Sequence, residues 1–322
     1  MNTTPLVQAS SGLPGGDSHP HGGHAALEAG GGSAEVPRPP AFYELAGQNL
    51  DEAEFTAEHS WYIRGRNFCI AYTWASDGGI ATREDLPDEH IIVIPGATPI
   101  RVAAQGCRQV SVTGPAVVIV PPGTSSVTAD GPGALLRVFS ARAAGILARA
   151  RNGARYDDAD PALAPLPDRP APGPGTVRAY RAADIPDDPA RSGQILRTDS
   201  LMIRWLPSAQ DSHDTDMLQP HLHAGFEQAS VALQGDYVHH LRTPWTPRLR
   251  DWRDDEHVQV TSPSITIIPS GIIHTTRTAG AGPHHLVDVF APPRADFSAA
   301  GWVTNDGEYP TAVTASVIGG TR

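Results

Sequence analysis

The chain has 322 residues, enough for two domains of ordinary size, and 40% of them are hydrophobic, as in typical globular proteins. Its formal net charge is −11, and it contains no lysine. Nucleic acids and anionic membranes bind a concentrated positive surface, so this composition excludes both as partners. We expect the partner to be a small molecule.

The chain has two cysteines, Cys69 and Cys107, and their spacing fits neither a redox motif nor a zinc motif. No apolar run approaches the ~20 residues that span a bilayer. The N-terminus shows no basic segment followed by an apolar core, so no secretory signal is predicted. We therefore expect a cytoplasmic protein.

Residues 1–40 are rich in Gly, Ser, Pro and His. They cannot bury enough apolar surface to offset their ordering entropy, so we predict a disordered tail. Short runs of β-branched residues then alternate with Gly and Pro turns, which is typical of an all-β sandwich or barrel. The predicted strands are 67–74, 89–96, 100–106, 116–123, 134–140, 176–182, 201–207, 226–235, 237–242, 264–271 and 285–293.

The two halves of the chain look like copies of one all-β unit. Residues 64–70 align with 197–203, since both stretches begin with Arg and end in a strand-like run. The Pro-x-Gly turn at 121–123 aligns with the one at 269–271. An internal duplication explains both matches. The predicted division is a tail at 1–40, a first barrel at 41–150, a helix end and Pro-rich linker at 151–180, a second barrel at 181–310 and a tail at 311–322.

The second half carries a predicted metal site. Side chains alternate along a strand, so His221 and His223 project to the same side, and a bend at Gly225 allows Glu227 to join them. A Pro-x-Gly turn precedes the fourth candidate ligand, His274. Imidazoles with one carboxylate suit a single divalent ion per chain, and Fe(II), Mn, Ni, Cu and Zn all fit this mixture.

These residues resemble the two motifs of the cupin superfamily. The first motif has a His-x-His pair, a Glu three or four residues later and a Gly, matched by His221, His223, Glu227 and Gly235 with one extra residue before the glycine. The second motif is matched by Pro269, Gly271 and His274, whereas Pro263 and Thr278 depart from it. The resemblance implies two double-stranded β-helix barrels, a bicupin, with the metal in the mouth of the second barrel.

The first copy has lost its ligands in this alignment. Counting back from Glu89 places Arg83 and Asp85 at the histidine positions, and Ser126 replaces the third histidine. An Arg in a ligand position is incompatible with ordinary metal binding. The first barrel is therefore expected to be a structural module or to form a homodimer.

Other candidate residues surround the predicted ligands. Gln228 is expected to face the opposite side of its strand from Glu227, in a packing role. Tyr237 and His239 share one strand face and are the favoured acid/base candidates, although the alternative that they lie on an outer surface stays open. Arg204 is a candidate to bind a substrate carboxylate. An insertion with Trp245 and Trp252 would form a lid or a subunit boundary.

The sequence leaves three functions open. The favoured hypothesis is a non-haem Fe(II) dioxygenase acting on a small aromatic or carboxylated metabolite, because cupin oxygenases resemble this three-His-one-Glu site. The second is an isomerase, lyase or decarboxylase that uses the ion as a Lewis acid. The third is a non-catalytic cupin that binds a small molecule.

Overall fold

The computed structural model describes residues 36–45, 60–76, 78–166, 175–185, 193–209, 216 and 218–309. The predicted tail at 311–322 and all but the last five residues of the predicted tail at 1–40 lie outside these residues.

The described chain up to residue 181 contains eleven strands, and all of them except the first belong to the first barrel. In chain order these are β1 (Ala41–Glu44), β2 (Ser60–Arg64), β3 (Phe68–Ala75), β4 (Ile80–Leu86), β5 (His90–Ile94), β6 (Pro99–Ala104), β7 (Val110–Thr113), β8 (Ala116–Val120), β9 (Gly123–Ala129), β10 (Gly133–Ser140) and β11 (Arg178–Arg181). One six-stranded sheet has the order β11-β8-β5-β10-β3-β2 and a four-stranded sheet has the order β4-β9-β6-β7. Both are antiparallel throughout, and together they form the first barrel.

The second half repeats this arrangement. Its strands are β12 (Gln194–Arg197), β13 (Met202–Ala209), β14 (Glu227–Gln234), β15 (Asp236–Arg242), β16 (Glu256–Thr261), β17 (Ser264–Ile268), β18 (Ile273–Ala279) and β19 (His284–Ala291). The large sheet has the order β1-β17-β14-β19-β13-β12, and the small sheet has the order β16-β15-β18. The two large sheets have the same strand order, and the small sheet matches β9-β6-β7 of the first barrel, with the His221–His274 bridge in the place of β4. The predicted duplication and the all-β double-barrel fold are confirmed.

Each barrel receives one edge strand from the other half of the chain. Strand β1, which the sequence assigned to the first barrel, pairs with β17 of the second barrel. Strand β11, which follows the Pro-rich segment and begins inside the predicted linker, pairs with β8 of the first barrel. An edge strand pairs wherever unsatisfied backbone groups lie within its reach, and hydrophobic pattern alone does not show which sheet that is.

Helices are short and lie at the ends of the barrels. The two α-helices are α1 (Ala144–Leu147) and α2 (Ala295–Ala299). Turns of 3-10 helix span Gly153–Tyr156, Ala182–Asp184, Leu249–Asp251 and Asp306–Glu308. Helix α1 therefore has a single turn, and the 3-10 turn Gly153–Tyr156 follows it at the start of the predicted linker. No helix among the described residues is long and apolar enough to cross a membrane.

One apolar core joins the two large sheets. Residues of both halves belong to it, for example Ile91 and Val117 from the first barrel and Val231, Ile265 and Val289 from the second. The interior of the first barrel is filled by a separate apolar cluster. That cluster contains Ile92, Ile94, Ile100, Val102, Val118, Val120 and Val127.

Candidate metal centre

Three histidines converge at one end of the second barrel. His221 forms an antiparallel bridge with His274 on β18, through the hydrogen bonds His221 N to His274 O (3.0 Å) and His274 N to His221 O (2.8 Å). The Gly271 amide donates to the carbonyl oxygen of His223 (2.7 Å) and so holds the Pro-x-Gly turn against the His-x-His segment. One ring nitrogen from each imidazole lies within 4.8 Å of the others. His223 and His274 are buried, and His221 is exposed at the mouth.

Backbone hydrogen bonds fix which nitrogen of two of these rings is free. His221 Nδ1 donates to the carbonyl oxygen of Gln219 and His274 Nδ1 donates to that of Ile272, each at 2.9 Å. Such bonds leave the Nε2 lone pair available for a metal ion. The ring of His223 stacks on Phe226, with centroids 4.9 Å apart, and meets the edge of Phe290 at 5.6 Å.

Gln228 supplies the fourth donor to this centre. Its Oε1 lies 2.8 Å from His223 Nε2 and 3.4 Å from His274 Nε2. Its Nε2 donates to Asp288 Oδ1 (2.9 Å), a bond that fixes the amide orientation with the oxygen toward the histidines. The sequence placed Gln228 on the outer face of the strand; the structure places it inside the barrel.

Glu227, in contrast, is not brought to the histidines, which corrects the predicted ligand set. Its carboxylate faces the first half of the chain, where it accepts hydrogen bonds from the Arg66 amide (2.7 Å) and the Tyr156 hydroxyl (3.3 Å). Gly225 adopts a φ of +83°, so the side chains do not alternate regularly from His223 into β14. Gln228, and not Glu227, therefore shares the face of His223. A sequence signal existed: six residues separate Gln228, not Glu227, from Gly235, as the cupin motif requires.

The donor set fits a divalent cation. Burial, followed by the neighbouring imidazoles, lowers the pKa of His223 to about 2 and that of His274 to about 3, so both rings are neutral at pH 7 and able to coordinate. His223 Nε2 and His274 Nε2 lie 2.8 Å and 3.4 Å from Gln228 Oε1, so these three atoms face one position. A cation bound there would be held by all three.

A ring of polar side chains lies directly below the metal level. Strand pairing sets Arg204 beside Asp288, Asp288 beside Ser230, Ser230 beside Thr266, and His239 beside Thr276. We call these six residues the polar layer. Ser230 Oγ donates to Asp288 Oδ1 (2.9 Å), and Arg204 Nη1 lies 3.9 Å from Asp288 Oδ2. Asp288 was not singled out from the sequence, because a lone Asp on an apolar strand carries no motif.

The remaining predicted site residues lie in or beside this layer. His239 and Tyr237 are buried, so they face the barrel interior as favoured from the sequence. His239 Nδ1 shares a hydrogen bond with Thr276 Oγ1 (2.8 Å), and burial lowers the pKa of His239 to about 4. Burial also raises the pKa of Tyr237. Arg204 faces Asp288, which compensates its charge.

In the first barrel the equivalent positions carry other residues. Arg83 pairs with Ser125, as His221 pairs with His274, so Ser125 rather than Ser126 occupies the third histidine position. Ser125 is also the buried one of the two serines. His90, stacked on Phe139 with centroids 5.3 Å apart, stands at the place of Gln228. The first barrel therefore does not assemble the three-histidine cluster.

Two antiparallel double-sheet barrels, with a His-x-His pair opposite a third histidine, define a two-barrel protein with the cupin fold. No protein-family model matches the chain, and the search of the curated proteins found no match. Solved structures do. An oxalate decarboxylase–formate complex from Lactobacillus farciminis is 14% identical, with 71% of this chain and 78% of that chain covered and a TM-score of 0.48. A cupin 2 conserved barrel domain protein from Leptotrichia buccalis is 13% identical (80% and 98% covered, TM-score 0.42), and AerE from Microcystis aeruginosa is 8% identical (81% and 100% covered, TM-score 0.49).

Proposed function

We propose that the chain is a metal-dependent enzyme that catalyses a non-redox reaction, such as an isomerisation, elimination or decarboxylation, of a small oxygenated substrate. The observation that carries this proposal is the replacement of a carboxylate by the Gln228 amide among the donors. Three imidazoles and an amide are neutral, so they leave the full charge of a divalent ion in place. Such an ion would act as a Lewis acid toward a substrate oxygen.

The polar groups beside the centre would bind and orient the substrate. His239 is neutral at pH 7, and its Nε2 is buried without a hydrogen-bond partner among the described residues, so it can accept a hydrogen bond from a substrate hydroxyl. Tyr237, with its raised pKa, stays protonated and can donate. Asp288 holds the Gln228 amide in the orientation that directs its oxygen to the histidines.

The predicted Fe(II) dioxygenase depended on a three-His-one-Glu set, which the structure does not assemble. It remains the alternative outcome of the experiment that tests the proposal. Protein purified anaerobically would be analysed for metal content and then assayed with and without O2. Metal-dependent turnover that consumes no O2 supports the Lewis-acid proposal, and substrate-dependent O2 uptake by an iron form supports the dioxygenase.

A pair of variants tests the site itself. His221→Ala should lose most of the bound metal, because it removes one of three imidazoles. His240→Ala is the matched control, since His240 lies on the outer face of the neighbouring strand and bonds to His257 (2.7 Å). Equal metal contents in the two variants would contradict the proposed centre. If the folded wild-type protein has no affinity for metal, the only remaining hypothesis is a non-catalytic cupin that binds a small molecule.

A further inference from the structure

The polar layer has a matched comparison within the same chain. Register places Ala71, Ile92, Val102, Val118, Val127 and Arg137 in the corresponding layer of the first barrel. Four of these six are branched aliphatic residues, whereas in the second barrel all six positions are polar. Arg137, the exception in the first barrel, donates to the hydroxyls of Ser60 and Thr73, each at 3.0 Å. The same fold thus carries a largely aliphatic layer in one barrel and a polar layer in the other.

Several polar atoms inside the second barrel have no partner among the described residues. Thr266 Oγ1 and His239 Nε2 in the polar layer are buried and unbonded, and so is Ser264 Oγ, one step deeper on β17. Their side chains are at most 1% exposed. A buried polar group without a hydrogen bond costs about 1–3 kcal/mol. Three such groups on two strands face one interior, where the hydroxyls of a bound molecule would satisfy them.

The layer lies within reach of a molecule bound at the metal centre. Gln228 pairs with Ile268 at the metal level, and Ser230 pairs with Thr266 two residues further along the same strands. On the opposite sheet, Leu241 pairs with His274, and His239 pairs with Thr276. Two residues of a strand span about 7 Å, roughly the length of a four- or five-carbon chain.

We propose that the polar layer binds the hydroxyl groups of the substrate, which is a small polyhydroxylated carbonyl compound such as a sugar or sugar acid. This inference rests on the proposed function, which places the carbonyl or carboxylate end of the molecule at the metal centre. Serine and threonine hydroxyls donate and accept, as substrate hydroxyls do, and His239 Nε2 offers one further bond. Arg204 Nη1 lies 3.9 Å from Asp288 Oδ2, so the one arginine of the layer already faces a carboxyl group.

Apolar side chains border the polar layer on the edge strands. Phe42 pairs with Thr266, with its ring centroid 6.4 Å from that of His239, and Val258 pairs with His239. The hydroxyl of Thr266 and the imidazole of His239 are the groups that a hydroxylated chain would satisfy.

Isothermal titration calorimetry on the metal-loaded full chain tests this inference with three probes: D-xylonate, xylitol and pentanoate. Xylonate and pentanoate share a carboxylate and a five-carbon chain and differ in hydroxyl groups. We expect xylonate to bind at least tenfold more tightly than pentanoate, and xylitol to bind more weakly than xylonate but measurably. Equal binding of xylonate and pentanoate, or no binding of xylonate by metal-loaded protein, would overturn the inference.

The substitution Thr266→Val installs the residue that the first barrel has at this place, Val118. It should weaken xylonate binding about fivefold, the loss expected for one hydrogen bond, without changing the metal content. Thr275→Val, on the outer face of β18, is the matched control and should bind as the wild type does. Ser264→Ala provides a second variant if Thr266→Val fails to fold. Variants of both residues that retain metal and wild-type xylonate affinity would refute the polar layer as a binding site.

Xylitol binding is also measured on metal-free protein, which separates the two proposals. If the wild type binds no metal, the proposed function fails, and xylitol binding that Thr266→Val weakens would still support the layer. If metal binds and His221→Ala releases it while xylitol and xylonate do not bind, the layer fails and the metal centre stands.

Discussion

Two adjacent residues, Glu227 and Gln228, have opposite surroundings, and this difference determines the chemistry of the site. Gln228 projects into the barrel toward His223. Glu227 projects between the two halves, where Tyr156 donates to it. In the first barrel Glu89 has the corresponding place and accepts a hydrogen bond from Tyr309 (2.7 Å). Each half thus binds a buried carboxylate of the other through a tyrosine.

Substitutions at these two positions should have separate effects. Gln228→Ala is expected to weaken metal affinity by about tenfold or more, because it removes one donor from the centre. Glu227→Gln should keep the metal affinity and lower the free energy of unfolding by about 1–2 kcal/mol, since the amide replaces a carboxylate that accepts two hydrogen bonds. Chelator competition measures the first effect, and urea unfolding of the metal-free protein measures the second. Loss of metal from a folded Glu227→Gln variant would show that Glu227 is a ligand, as the sequence predicted.

Sequence reasoning identified the three histidines because their type and spacing are specific. It missed Gln228 because a carboxylate stood next to it, and the positive φ of Gly225 that reverses the strand faces is not visible in a residue pattern. Asp288 was missed for another reason. Its role depends on lying beside Ser230 on the neighbouring strand, which only the register between the strands defines.

His285 should make stability depend on pH. It is buried between the halves, where Trp205 Nε1 donates to its Nε2, and burial lowers the pKa of His285 to about 4 from an ordinary 6.5. Between these values the unfolded chain binds more protons than the folded one. The free energy of unfolding should therefore rise with pH from 4 to 6.5. His285 contributes up to about 3 kcal/mol to this rise, and its contribution is lost as the pH falls toward 4.

Urea unfolding of metal-free protein at several pH values measures this dependence. His285→Gln should reduce the rise, to which His223, His239 and His274 also contribute because burial lowers their pKa values too. His257→Gln, at an exposed position, should leave the rise unchanged. An identical slope in wild type and His285→Gln would show that His285 does not contribute.

At the scale of elements, the exchanged strand β1 links the beginning of the described chain to the second barrel. It pairs with β17, and Phe42 packs against two apolar clusters of that barrel. Arg38, just before it, forms an ion pair with Asp160 (3.3 Å). The segment therefore stabilises a barrel from which it is separated by more than two hundred residues.

Two truncated chains test this contribution. A chain that starts at residue 36 should melt as the full chain does, if the preceding residues form the predicted disordered tail. A chain that starts at residue 46 loses β1 and should melt roughly 5–10 °C lower, because the burial of Phe42 and a row of backbone hydrogen bonds are lost. Calorimetry measures both, and Arg38→Ala separates the ion pair from the strand. Equal melting temperatures for the two truncations would exclude a stabilising role of β1.

The strands themselves were largely predictable, because short β-branched runs between Gly and Pro turns have few alternatives. The segment 116–123 was predicted as a strand, and β8 occupies most of it. The sheet to which a short edge strand belongs was not predictable. Strands β1 and β11 each have four residues, and their partners lie in the half of the chain to which the sequence did not assign them.

On the scale of the whole molecule, the two large sheets share one apolar core. Trp61 and Leu136 from the first half and Leu196 and Trp205 from the second belong to the same cluster. Neither barrel can bury its large sheet alone, because each sheet covers the other. The halves should accordingly unfold together.

Calorimetry of the metal-free chain should show a single transition whose calorimetric and van 't Hoff enthalpies agree. Residues 181–310, the predicted second barrel, should be insoluble when expressed alone, because they lack β1 and expose the shared core. Two separate transitions in the full chain, or a soluble folded product from residues 181–310, would show that the halves are independent.

The exchanged strands and paired tyrosines show how two copies in one chain can differ and still stay together. In a symmetric dimer of single barrels both subunits have the same sequence, so a substitution in one site also changes the other. Once the two copies are joined in tandem, each can mutate alone, while the strand that each lends to the other keeps them together. In this chain the first copy has an aliphatic interior, and the second carries the three histidines. Residues at equivalent positions of the two copies can therefore differ without separating the two barrels.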